Sequence, residues 1–105
     1  MDNEAVKLYK IFPFAEVVSI TNAKYSTGKQ EMDIKARLVI VTESDDGGTL
    51  KFDMQRQDGA TVKQISFPPH WLDSAEVIGD KAVIQWSGGD AGSMQNWKLE
   101  IILDS

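Results

Sequence analysis

A chain of 105 residues, 42% hydrophobic and with nine aromatics (three Trp, two Tyr, four Phe), can bury one core, so it reads as a single globular domain and not as a disordered segment. It has no cysteine, which excludes disulfides, zinc–thiolate sites and a thiol nucleophile and agrees with a reducing compartment. A formal net charge of −5 and a pI near 4.7 argue against binding to nucleic acid, whose phosphate backbone needs a Lys/Arg surface.

The N-terminal MDNEAVK has no apolar run of the kind a secretory leader carries. The longest aliphatic run, Leu38-Val39-Ile40-Val41, is far short of a membrane span. The expectation is a cytoplasmic protein with no membrane partner.

Residues 4–12 are ambiguous. Ala5, Leu8, Tyr9 and Phe12 fit helical spacing, whereas Val6 and Leu8 fit a strand; the β-rich remainder of the chain favours a strand, and Pro13 ends either element. Residues 14–21 are rich in β-branched side chains and predict a strand. Residues 22–32 are polar and read as a loop. Residues 33–43 form the longest strand candidate, with apolar residues on both parities, which implies burial on both faces or a bulge.

The clearest stretch is 50–67, LKFDMQRQDGATVKQISF. Asp58-Gly59 between two alternating runs predicts a hairpin with a two-residue type I′ turn. That turn pairs Leu50 with Phe67, Phe52 with Ile65, Met54 with Lys63 and Gln55 with Val62. One face is then apolar and the other polar, so the register is well specified. Upstream, a turn at Asp46-Gly47 sets Val41 opposite Phe52 and Val39 opposite Met54. It also opposes Arg37 to Arg56, so the ladder is expected to splay there.

Phe67-Pro68-Pro69-His70-Trp71 cannot continue a central strand and reads as a crossover between sheets. Gly79-Asp80 then predicts a type I′ or II′ turn pairing Val77 with Ala82, Ala75 with Ile84 and Asp73 with Trp86. The Gly/Ser-rich loop 87–96 joins Trp86 to Trp97. If those indoles pair, Ile84 meets Leu99 and Ala82 meets Ile101.

Two three-stranded meanders, each apolar on one side, dry those sides most simply by stacking. The expected fold is therefore all-β: an antiparallel β-sandwich of about seven to eight strands, with a small closed or partly open barrel as the alternative.

Chemistry is sparse. His70 is the only histidine, and no nucleophile elbow accompanies it. One histidine without cysteine leaves few transition-metal options. Glu43, Asp45 and Asp46 offer oxygens but lack the calcium-loop pattern, and Ser26-Thr27-Gly28-Lys29 lacks the upstream glycine of a phosphate loop. No catalytic residue, metal ligand or cofactor is assigned. The candidate ligand-binding residues are His70, Trp71, Trp86, Asp90, Ser93 and Trp97, because aromatics beside polar loops stack on sugars or peptide side chains. The bland reading of Trp86 and Trp97 is a cross-strand pair capping the core.

The function expected is a non-enzymatic binding domain, recognising a protein or a carbohydrate through loops 68–72 and 87–96. One alternative is a small barrel hydrolase or isomerase with a cavity lined by Trp86, Trp97 and Met94. Another is a homo-oligomer assembled through 33–43 as an edge strand.

Overall fold

The computed structural model describes residues 3–89 and 92–104. One helix precedes eight strands: α1 (Asn3–Ile11), β1 (Val17–Thr27), β2 (Glu31–Ile34), β3 (Leu38–Glu43), β4 (Leu50–Gln55), β5 (Thr61–Phe67), β6 (Leu72–Ile78), β7 (Lys81–Gly88) and β8 (Gln95–Leu103). Hydrogen bonding follows the order β5-β4-β3-β1-β8-β7-β6, with β2 added beside β1. Among the described residues, no helix is long and apolar enough to cross a membrane.

β1 serves both layers. Its residues Val17–Ser19 pair with β3, whereas Ala23–Thr27 pair with β8, and the ladder is irregular between Ile20 and Asn22. Such a bulge lets one strand turn a corner between packed sheets. One layer is thus the start of β1 with β3, β4 and β5; the other is β2, the rest of β1, β8, β7 and β6. Phe67 of β5 stacks on Trp86 of β7 with ring centroids 4.2 Å apart. Phe52 and Ile84, both fully buried, belong to the same core. The two meanders do stack. The terminal strands β5 and β6 do not pair, so the fold is a sandwich and not a closed barrel.

The layers cross. Lys63 Nζ lies 5.8 Å from the Tyr25 ring centroid on β1, and Phe67 lies on Trp86 of β7.

The predicted registers hold where an apolar face enforces them. Val41 faces Phe52, Leu50 faces Phe67, Ala75 faces Ile84, and Trp86 faces Trp97. The β3–β4 ladder ends at Leu38–Gln55, and Arg56 turns aside to Asp58 at 3.0 Å, so the two arginines are not opposed.

Four expectations are corrected. The Asp58-Gly59 hairpin is not a two-residue turn. Only Gly59 is left-handed, with φ of 90°, and the Arg56 N–H donates to the Ala60 carbonyl at 2.8 Å. The loop has three residues, Gln55 faces Thr61, and Val62 bulges out to restore the register. Asp73 does not face Trp86; Leu72 does, because Asp73 bulges and accepts the Ser87 hydroxyl at 2.7 Å. Residues 22–27 are strand, not loop, since β1 gains neighbours on both sides there. Residues 33–43 are not one strand. The chain breaks at Lys35–Arg37, and Ile34 and Ala36 are buried in one parity while Val39 and Val41 are buried in the other. β3 is interior, between β1 and β4, which removes it as an oligomerising edge.

Residues 4–11 are also helical, against the strand expectation for 4–12. Leu8 and Phe12 are fully buried, and α1 packs on β6. The Tyr9 hydroxyl donates a short hydrogen bond to the Glu43 carboxylate on β3. Burial, then that hydrogen bond, then the Glu43 charge, push Tyr9 ionisation well above the ordinary tyrosine range. A folded-state value raised above the unfolded one contributes stability that is complete below roughly pH 10 and is lost as pH climbs further. Tyr9→Phe should therefore flatten the alkaline limb of the stability profile and cost about 1 kcal/mol at neutral pH, read from urea unfolding across pH.

The α1–β1 connection holds Ala15 at φ of 61°, the left-handed region. Its N–H donates to Val41 O at 2.8 Å and the Glu16 N–H to Pro13 O at 3.1 Å, which fix it there. A non-glycine residue in that region costs about 1–2 kcal/mol, and glycine adds about 0.4–1 kcal/mol of unfolded-chain entropy. Ala15→Gly should stabilise by about 0.5–1 kcal/mol; an unchanged or lowered melting temperature would contradict this.

Candidate functional site

Aromatic rings run in near-parallel order from the core to the surface. Phe52 stacks on Phe67 and Phe67 on Trp86; Trp86 neighbours Trp97 at 6.3 Å, and Trp97 neighbours Trp71 at 5.7 Å, with 8° between the last two planes. Tyr25 joins at Trp86, at 6.1 Å. Cross-strand register makes the Trp86–Trp97 pair, and the 3-10 turn Pro69–Trp71 brings Trp71 alongside. Gly88 makes room: a Cβ there would sit 2.2 Å from Trp71 Cδ2. Trp71 thus lies flat on the backbone of β7.

Beside this end stand two grooves that share Thr27, Gly28, Lys29 and Asn96. The larger, ≈ 480 Å³, adds Gln85, Trp97 and Lys98. The smaller, ≈ 340 Å³, adds Met94 and Gln95. The turn is held locally, with Thr27 Oγ1 accepting the N–H groups of Lys29 at 3.3 Å and Gln30 at 3.2 Å. No helix follows it, so Ser26-Thr27-Gly28-Lys29 forms no phosphate cradle.

Charges nearby are engaged with one another. Lys98 pairs with Glu100 at 3.6 Å, Lys81 with Glu100 at 3.0 Å, and Lys24 with Glu31 at 3.8 Å. The hydrogen bond from Lys81 is the main cause holding the Glu100 carboxyl below its ordinary range. Ser26 Oγ is buried with no hydrogen-bond partner among the described residues.

The predicted site residues part company. Trp71 and Trp97 come together, both partly buried. Trp86 is 2% exposed, and Phe67, Tyr25 and Trp97 surround it, so it belongs to the core. His70 is exposed on the 3-10 turn, and Ser93 is exposed in the loop after Gly92. Asp90 lies outside the described residues. The cavity expected from Trp86, Trp97 and Met94 is not formed, because Trp97 and Met94 line separate grooves and Trp86 lines neither.

No polar or charged residue is buried in the core among the described residues. At the 44–48 turn, Asp46 Oδ1 accepts the Ser44 hydroxyl at 2.7 Å and the Gly48 N–H at 2.9 Å, so the carboxylate considered for calcium stabilises its own turn. Among the described residues no cluster of three or more His, Asp or Glu is placed to hold a metal.

Sequence reasoning missed Gly28, Lys29, Gln85 and Lys98. Their signal was weak, since nothing in a polar 22–32 stretch announces a hairpin folding up beside β8. Compared with known proteins, the chain matches no family model, no curated protein and no solved structure at a meaningful level.

Proposed function

We propose that this chain is a non-catalytic recognition module for a protein partner. It engages through the end of the sandwich where the 68–72 connection and the 87–96 loop meet the β1–β2 turn, with the cytoplasm as its setting. The observation that carries this reading is the partly buried Trp71–Trp97 stack, with Trp97 lining the larger groove. Aromatic anchors with polar surroundings on a rigid scaffold are what protein interfaces use. Protein ranks above carbohydrate because the indoles lie against one another and against Gly88, which leaves little open ring face for a sugar.

The test exposes the full chain to a glycan array and to a displayed library of random short peptides. Peptide capture that is lost in Trp71→Ala and retained in Lys81→Ala, on the outer face of the sheet, supports the reading. Capture of glycans alone removes it.

A further inference from the structure

We propose that α1 exchanges between two copies of this chain, each helix leaving its own sandwich for the same seat on the other, to give a swapped dimer hinged at Pro13–Glu16. This goes beyond the recognition reading above and does not depend on it.

The hinge is a strained turn. The Glu16 N–H donates to Pro13 O at 3.1 Å, which closes four residues with Ala15 third, at φ of 61°. That position of such a turn favours glycine, and alanine is held there against its preference. Ala15 is the one non-glycine residue with positive φ among the described residues. Opening the turn gives up that bond and the one from Ala15 N–H to Val41 O at 2.8 Å, and it releases the strain. Short hinges under strain are where elements exchange between copies.

The seat fits because it is α1's own. Leu8 and Phe12 are fully buried in the core, the Tyr9 hydroxyl donates to the Glu43 carboxylate, and the helix packs on β6. A helix from a second copy makes all these contacts again, so the two forms differ at the hinge and in the cost of association. Fully extended, the four residues Pro13–Glu16 reach roughly 13 Å, more than the roughly 10 Å width of a helix, so α1 clears its own sandwich while still attached.

The surface beside the hinge points the same way. Phe14 is 53% exposed and Val17 is 59% exposed, one within the turn and one just after it. In a two-fold swapped dimer the opened hinges pass alongside one another. That brings Phe14 and Val17 of both copies together and takes them out of water. A short linker holds its helix at an effective concentration of about millimolar. Strain relieved twice per dimer lowers the protein concentration needed for exchange below that level.

The experiment refolds the full chain from urea at about millimolar and at about micromolar concentration and reads the mass by light scattering. Expected are a dimer after the first and a monomer after the second. Ala15→Gly, which takes the turn without strain, should weaken the dimer at least about tenfold, since the hinge counts twice. Ala15→Pro fixes φ at about −65°, cannot form the turn, and should be dimeric even after dilute refolding. When labelled and unlabelled chains are mixed before refolding, isotope-filtered NMR should show contacts from Tyr9 of one copy to Glu43 and to Leu72–Ile78 of the other. A parent that stays monomeric after concentrated refolding overturns the exchange. So does an Ala15→Gly chain that dimerises as readily as the parent, or an Ala15→Pro chain that folds as a monomer. A dimer whose α1 contacts all stay within one chain overturns it in favour of another interface. Should proline prevent folding, the comparison of parent with Ala15→Gly decides.

Discussion

Truncating Trp86 to alanine should cost about 3–5 kcal/mol, the range for deleting a large buried aromatic. Domains have about 5–15 kcal/mol in total, so this one change should bring the chain close to unfolding. The indole is 2% exposed and stacks on Phe67 from the opposite layer at 4.2 Å. Its loss opens a cavity at the contact between the two meanders. Trp97 and Trp71 are partly exposed, and the same truncation there should cost about half as much, because water can fill what is removed. Urea unfolding midpoints for the three variants give the ranking directly. A Trp86→Ala protein as stable as its parent would mean that the layers do not meet at this ring.

Gly88→Ala should displace Trp71. The added methyl would sit 2.2 Å from one ring carbon and 2.3 Å from another, closer than any real contact allows. Either the indole leaves its seat against Trp97 or β7 shifts, and overpacking of this kind costs about 1–3 kcal/mol. Trp71 would move toward solvent, so tryptophan emission should shift to the red. The decisive comparison is a double-mutant cycle. In a Trp71→Ala background, Gly88→Ala should cost about 0.5 kcal/mol or less, because the clash has no second party. A full penalty in that background would show that glycine is required for some other reason.

What was legible in the sequence was set by period-two burial. Leu50, Phe52 and Met54 have apolar partners on neighbouring strands, so a register slip would expose all of them. Turn chemistry was less legible: Asp-Gly is compatible with two loop lengths, and the ladder absorbed the difference by ejecting Val62. The mixed parity of 33–43 did carry information, but of a bend between layers, not of a doubly buried strand. The second half of β1 was opaque because only Ala23 and Tyr25 among its residues face inward with apolar side chains, while Asn22, Lys24 and Ser26 look like loop. The helical spacing of Leu8 and Phe12 was present, and the β-rich context outweighed it wrongly. At the candidate site, the Trp86–Trp97 pair followed from the flanking alternation. The β1–β2 turn beside it did not, since its place depends on a strand the sequence did not show.

Because β1 is held on one flank by β3 and on the other by β8, its partners lie far apart in the sequence: Val18 meets Val39, whereas Ala23 meets Ile101. Contacts of such long sequence separation slow folding, since the loop between them must be ordered before they form. A nascent chain still lacking its final strand leaves the second half of β1 with only the short β2 beside it. The sandwich can therefore close only after synthesis has passed Leu103, and until then the greasy interior of the first meander is open to chaperones or to other chains.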